Sequence, residues 1–235
     1  MTVALPFHDR EDAACRLAAA LSRYRGARPL VLGIPRGGVA IGRIVAAALE
    51  GELDVVLVRK LRAPDNSEFA IGSVDENGRV LLDEVAARWS GTGHAYVQLE
   101  AARQLRLIGE RRLAWRGGRA RIPLAGRTVI VIDDGLTNGS IMAAALRLVR
   151  AAAPARLVCA VPVAAHESLQ QVRRLADEVV CLAAPWPCGA LGLYYEDVDQ
   201  VEDADVAVAL AAGRAEPGRS AARRLDPGQY RARQG

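Results

Sequence analysis

Two adjacent carboxylates, Asp133 and Asp134, follow the apolar run Val129-Ile130-Val131-Ile132 and precede the polar turn Gly135-Leu136-Thr137-Asn138-Gly139-Ser140. Four apolar, mostly β-branched residues form a buried strand, so the acids stand at its carboxyl end. Past the turn, Ile141, Ala144, Ala145, Leu148 and Val149 recur at helical spacing, and the turn therefore presents the free N–H groups of a helix N-terminus. Those N–H groups from Thr137 to Ser140, with the hydroxyls of Thr137 and Ser140 and the amide of Asn138, suit a phosphate monoester. Ionised carboxylates only accept hydrogen bonds, so Asp133 and Asp134 suit the hydroxyls of an attached sugar, or a hydrated Mg²⁺ beside the phosphate. The stretch asks for a sugar phosphate. The plainer alternative is a turn whose acids and Thr137 only cap a helix; two adjacent acids beside a polar, glycine-bearing turn favour the site.

A second turn of this kind, Gly33-Ile34-Pro35-Arg36-Gly37-Gly38, separates a short strand at Leu30–Leu32 from a helix over Val39–Leu49. Its glycines would let a phosphate approach the backbone and Arg36 would add charge, although glycines also permit close packing of helix on strand. A third feature is Arg59-Lys60 at the end of the apolar run Asp54–Val58. Lys60 is the single lysine of a chain otherwise rich in arginine. A compact ammonium on a flexible stem is wanted there, or the distribution is chance. Taken alone, a basic pair at a strand end is a solvated pair.

The pattern Val-Ile-Val-Ile-Asp-Asp-Gly-Leu-Thr-Asn-Gly-Ser resembles the phosphoribosyl-pyrophosphate (PRPP) loop of type I phosphoribosyltransferases. Pro35-Arg36-Gly37-Gly38 resembles the pyrophosphate loop of that family, and Arg59-Lys60 its basic pair ahead of a closing loop. The resemblance implies an Mg²⁺-dependent phosphoribosyltransferase that displaces pyrophosphate from PRPP by a nitrogen nucleophile, a nucleobase first of all. Asp133, Asp134 and Lys60 would be catalytic, and Gly135, Thr137, Asn138, Gly139 and Ser140 would hold the 5′-phosphate. Arg36, Gly37, Gly38, Arg59 and Lys60 would take the pyrophosphate, and Mg²⁺ would be held mainly by PRPP with water-mediated links to Asp133 and Asp134. The family also implies a backbone turned towards the pyrophosphate at Arg36-Gly37, often through a cis bond. Two residues depart from its pattern: Asn138 stands where Thr is usual, and Ile141 where a hydroxyl is usual. With the arginine-rich tail they motivate a second reading, a PRPP- or nucleotide-sensing regulator on the same fold; a third, phosphoribosyl transfer to an acceptor other than a nucleobase, is left open by a subgroup resemblance. The runs Arg59–Val74 and Glu110–Gly118 also resemble a bacterial subgroup of predicted phosphoribosyltransferases.

Positioning such loops requires strands that end side by side. Strand and helix alternate along the chain, with further strands at Arg156–Val161 and Glu178–Leu182, helices at His166–Ala176 and Glu202–Leu210, and an amphipathic helix within Asp9–Tyr24. The expected fold is α/β, a mainly parallel twisted sheet with helices on both faces and ligands at the strands' carboxyl ends. Turn formers fill Leu61–Ser67, and Glu68–Val74 and Arg79–Leu82 flank Asp75-Glu76-Asn77-Gly78, a hairpin signal. Residues 61–82 are expected as a flap. A long helix over His94–Trp115 carries an apolar stripe of Val97, Ala101, Leu105, Ile108 and Leu113 opposite a solvated arginine face. Residues 183–200 read as a small hood, in which Trp186 and then Tyr194 would stack on the acceptor or else pack the sheet edge.

The length of 235 residues and 51% hydrophobic composition support one domain, over 1–212. The net charge of +4 lies in the tail 213–235, where six arginines face Glu216 and Asp226, and a disordered extension is expected. No run approaches a membrane span and the start carries no leader pattern, so the expectations are a cytoplasmic protein, no membrane partner and no nucleic-acid partner, with a homodimer compatible. Cys15, Cys159, Cys181 and Cys188 lack metal-ligand spacing and are expected as buried thiols.

Overall fold

The computed structural model describes residues 4–213; of the basic tail 213–235, all but Gly213 lies outside the described residues. In chain order the first half comprises α1 (Arg10–Ala20), β1 (Leu30–Gly33), α2 (Gly37–Ala48), β2 (Glu52–Val55), β3 (Val58–Ala63), β4 (Asn66–Asp75), β5 (Val80–Leu82), α3 (Glu84–Trp89) and α4 (His94–Arg116). The second half comprises β6 (Thr128–Ile132), α5 (Ser140–Arg150), β7 (Arg156–Val163), α6 (His166–Arg173), β8 (Glu178–Ala183) and α7 (Asp203–Ala212).

Five strands form one parallel sheet in the order β2-β1-β6-β7-β8. Side chains alternate between its faces as the pleat requires. Val31, Ile130, Ile132 and Val158 pack into one core with α1, α2, α4 and α7, whereas Leu32, Val131, Leu157 and Cys159 pack into a second with α5 and α6. The chain leaves β1 towards β2 on one side and later builds β6, β7 and β8 on the other. The direction of winding therefore reverses between β1 and β6, and a crevice forms beyond the carboxyl ends of those two neighbours. The two glycine-bearing turns are the loops that follow β1 and β6.

Three expectations about the middle of the chain are corrected. The apolar run Asp54–Val58 is not one strand: β2 stops at Val55, and Val58 opens β3, which pairs antiparallel with β4 in a separate sheet ordered β3-β4-β5. A continuous apolar run carries no mark of where it passes from one sheet to another. The turn formers of Leu61–Ser67 reduce to Pro64-Asp65, because β3 extends to Ala63 and β4 begins at Asn66. On α4, Leu113 is 68% exposed while Trp115 and Arg116 are buried. Leu113 is five residues past Ile108, well over a third of a turn off the stripe that Val97, Ala101, Gln104, Ile108 and Trp115 follow.

No local signal foretells the short α3; Asp83 starts it, its carboxylate accepting from the N–H groups of Val85 and Ala86. Of the cysteines, Cys159 is buried, Cys181 and Cys188 are partly covered, and Cys15 is exposed, because it lies on the solvent side of α1. Among the described residues no helix is long and apolar enough to cross a membrane.

The antiparallel sheet is fastened at one end. Arg116, 2% exposed, places Nε 2.9 Å from Asp54 Oδ1 and Nη1 2.5 Å from Glu76 Oε2, and donates through Nη2 to the carbonyl of Val55. Asp54 and Glu76 are equally enclosed. Glu76 sits in the turn between β4 and β5, so this turn is tied to β2 and α4 by largely buried charges. The Pro64-Asp65 turn stands at the opposite end of the hairpin strands.

Candidate active site

The first two loops touch. An added Cβ on Gly37 would stand 1.9 Å from Asp134 Oδ2, and one on Gly38 would stand 2.5 Å from the carbonyl oxygen of Ile132. Only glycine permits that approach. The peptide bond before Arg36 is cis; the bond is Pro35-Arg36, one residue ahead of the Arg36-Gly37 bond that the sequence resemblance implied. Arg36 is half-exposed, with Nη1 3.6 Å from Glu202 and 3.7 Å from Asp203 at the start of α7.

Asp134 is the most connected residue of the crevice. Its Oδ2 accepts from both Nε and Nη2 of Arg10, each at 3.0 Å, and its backbone carbonyl accepts from the Tyr195 hydroxyl at 2.6 Å. The pair is largely covered, with side chains 19% and 15% exposed. Arg10 is held in turn by the carbonyl of Asp199. Burial, then the nearby carboxylates of Asp134 and Asp133, push the Tyr195 phenol up, so its hydroxyl remains a donor. Asp133 accepts the Asp134 N–H at 2.9 Å. Desolvation and the adjacent Asp134 charge raise the Asp133 pKa well above the usual carboxylate range, against smaller opposing effects of the Asp134 N–H and Arg10. A ligand that brings cations or hydroxyl donors to Asp133 favours its ionised form.

In the turn before α5, Gly139 adopts a left-handed conformation (φ 66°). Among the described residues the N–H groups of Thr137, Asn138 and Gly139 donate to no protein atom. The Ser140 donors differ from expectation. Its N–H and hydroxyl point to Asn138 Oδ1, at 3.3 and 3.0 Å, so the Ser140 donors are turned onto the loop itself. The Ser168 hydroxyl fixes the loop from α6 by donating to the Thr137 carbonyl. Gly135 lies against Leu191, which seats the hood on the loop.

Arg59 and Lys60 lie within β3 rather than at the end of a core strand. Arg59 Nε donates to Gln104 Oε1 at 2.5 Å, and Gln104 Nε2 to Glu100 Oε1 at 2.7 Å, so α4 orients the guanidinium. Lys60 borders two clefts, one with Pro35 and Ile141, the other with Ser140 and Gln171. It therefore stands between the two loops.

The hood includes the N-terminal segment, which no local signal foretold. Phe7 forms a bridge with Tyr195 and exchanges backbone hydrogen bonds with Tyr194 and Glu196. Tyr194 is only 9% exposed, in a cluster with Phe7, Ala13 and Val163, and its hydroxyl accepts the Gly189 N–H. Little of its ring remains for stacking, and it packs as core. Trp186 is 75% exposed, its following peptide bond to Pro187 cis. Among the described residues no group of three or more His, Cys, Asp or Glu is placed to hold a metal. Two adjacent acids, one shared with Arg10, suit an ion whose other ligands come from a substrate and water.

A phosphoribosyl transferase domain model matches residues 6–197, which include both loops, the basic pair, and the acids. The chain belongs to this family. Two curated relatives from Mycobacterium tuberculosis, named "Putative phosphoribosyl transferase" Rv0571c (strain H37Rv) and MT0597 (strain CDC 1551), are each 40% identical over 207 residues, 87% of this chain. The chain spans 46% of the length of each of these relatives. The crystal structure of TT1426 from Thermus thermophilus is 42% identical and superposes with a TM-score of 0.79, covering 89% of this chain and 99% of that one. The fold is that of the type I phosphoribosyltransferases. Arg10 and Tyr195, 124 and 61 positions from Asp134, are parts of this phosphoribosyltransferase crevice that spacing along the chain does not disclose.

Proposed function

We propose that this domain transfers the phosphoribosyl group of PRPP to a nitrogen nucleophile, with a nucleobase as the acceptor class and pyrophosphate as the second product. The observation that supports the reading is the contact of the two loops at Gly37 and Asp134, with Lys60 of β3 bordering clefts that also touch Pro35 and Ser140.

In this reading the N–H groups of Thr137, Asn138 and Gly139 hold the 5′-phosphate at the start of α5. Asp133 and the free Oδ1 of Asp134 orient the ribose hydroxyls, while Arg10 keeps Asp134 in place from behind. The C1–O bond breaks with its electron pair leaving on pyrophosphate, and the acceptor nitrogen forms the new bond to C1 and releases its proton to solvent. The carbon passes through an oxocarbenium-like state, which the field of Asp133 and Asp134 stabilises. Arg36, Arg59 and Lys60 receive the charge that develops on pyrophosphate. Asp133 and Asp134 are the residues that would help hold a Mg²⁺ brought by the substrate, and the ion would supply charge neutralisation. With the β4–β5 turn anchored by Arg116, closure of the antiparallel sheet over the reactants belongs to its Pro64-Asp65 end. Trp186 is an exposed hood aromatic with surface to offer an acceptor.

The test is to incubate the protein with Mg²⁺, PRPP and a pooled acceptor library and to follow pyrophosphate release, with mass spectrometry of the products. Asp133→Asn is the discriminating variant, because it keeps the acceptor for the Asp134 N–H and so spares the loop. Its turnover is expected to fall by orders of magnitude; wild-type turnover in Asp133→Asn refutes the roles assigned. A regulator that binds PRPP without turnover is the second reading, favoured by the inward turn of Ser140 onto Asn138. It requires tight PRPP binding with no product from any acceptor.

A further inference from the structure

The run Glu110-Arg111-Arg112-Leu113-Ala114-Trp115-Arg116-Gly117-Gly118 has no part in the mechanism above, although it stands out in the sequence. On α4 its members separate by face. Arg116 turns into the buried ion network, Gly117 ends the helix in a left-handed conformation, and Arg112 lines a cleft beside Glu76 and Asn77. Arg111 and Trp115, one helical turn apart, line a different cavity of about 260 Å³. Its other walls include Pro35 of the first loop, Arg59 and Lys60 of β3, and Ile141 at the start of α5. It thus touches the first loop and the start of the helix that follows the second.

Several observations ask for an anion there. Among the described residues, Arg59, Lys60, Arg62 and Arg111 line the cavity and no carboxylate does. Desolvation and then the charges of Arg111 and Arg62 lower the Arg59 pKa, the mark of cations crowded together in a half-covered place. The Arg111 guanidinium lies 5.4 Å from the Trp115 ring centroid, which steadies it against the wall. Trp115 is 1% exposed and its Nε1–H meets no acceptor among the described protein atoms, so a buried donor is also left over in this wall. Ile141, which removes a hydroxyl from the phosphate loop, is part of the same lining.

We propose that Arg111 binds the pyrophosphate end of PRPP together with Arg59 and Lys60, and that the cavity between α4 and β3 receives pyrophosphate as it leaves. The inference rests on the phosphoribosyltransferase reading and adds to it a residue from α4. Arg111 adds a cation to those already assigned to pyrophosphate, and its guanidinium fork engages two oxygens of a diphosphate at once.

The experiment is calorimetric titration of the full chain with inorganic pyrophosphate in Mg²⁺, alongside a titration with orthophosphate. The variants are Arg111→Ala, Arg111→Lys, Arg112→Ala and Lys60→Ala, each checked for folding by thermal melting. Wild type is expected to bind pyrophosphate more tightly than orthophosphate. Arg111→Ala should weaken pyrophosphate binding about 10- to 100-fold, the range for a charge-assisted contact, and Arg111→Lys should recover part of it. Arg112→Ala should stay within about twofold of wild type, the effect of a charge outside the cavity. If Arg111→Ala binds as wild type while Lys60→Ala is weakened, the role of Arg111 is overturned and the loop reading stands. If wild type binds no pyrophosphate, both are overturned.

Discussion

Replacing Gly38 by alanine tests the contact on which the crevice depends. The added Cβ would stand 2.5 Å from the carbonyl oxygen of Ile132 and 2.9 Å from the Asp133 Cα, both backbone atoms that no rotamer change can remove. Relief requires the first loop and the end of β6 to part by about 0.5 Å or more, given the tolerances of packed interiors. The same Ile132 carbonyl accepts the Ile34 N–H at 2.8 Å, so parting the two stretches this bond towards its limit. Overpacking costs about 1–3 kcal/mol and a weakened buried hydrogen bond about 1 kcal/mol, while alanine in the first turn of α2 returns about 0.5–1 kcal/mol of backbone entropy. The net expectation is a loss of about 1–3 kcal/mol. Urea unfolding at equilibrium measures it, and Gly109→Ala provides the control, since nothing lies within 4 Å of its added Cβ on α4. Gly109→Ala should stabilise by about 0.5–1 kcal/mol. If Gly38→Ala is as stable as wild type, the two loops are not packed as described. The reasoning from their contact to a shared site then fails.

Two further expectations follow from the charges. Arg116→Met should destabilise by about 3–5 kcal/mol, because it removes the guanidinium that holds two enclosed carboxylates and leaves Arg121, 3.7 Å from Glu76, in its place, and adding Asp54→Asn should recover part of the loss; a cost under about 1 kcal/mol for Arg116→Met alone contradicts the network. His8 Nδ1 lies 3.0 Å from Glu196 Oε2, and this hydrogen bond, followed by the Asp9 charge, raises the imidazole pKa above 6.5. A raised histidine contributes its stability in full below the unfolded value and loses it as pH rises through the folded one, so the tie between the N-terminal segment and the hood weakens as the imidazole deprotonates. Titration of the His8 ring by nuclear magnetic resonance checks this, with Glu196→Gln expected to lower the pKa; no change on that substitution removes Glu196 as the cause.

Much of the scaffold was legible along the chain. Leu30–Leu32, Val129–Ile132, Arg156–Val161 and Glu178–Leu182 all read as strands, because period and β-branching are local properties of the backbone. The Asp133-Asp134 pair and the two glycine-bearing turns were legible for the same reason: each is a contiguous stretch whose chemistry is set by a strand end and a helix start. The passage of Val55–Val58 between two sheets was not legible, since all four residues are apolar and pairing direction depends on distant partners.

What the sequence determined by itself is therefore a pair of glycine-bearing turns, two acids, and the parallel sheet that carries them. Only the tertiary structure decided how these acquire partners. With arginine dominating the cations of the chain, local spacing does not say which one meets which acid. Folding selects Arg10 for Asp134 across 124 positions, Arg116 for Asp54 across 62, and Arg111 for the wall beside Arg59. The selection is made by burial: a charge taken out of water needs a partner in reach, and which partners come within reach is a property of the packed helices and sheets.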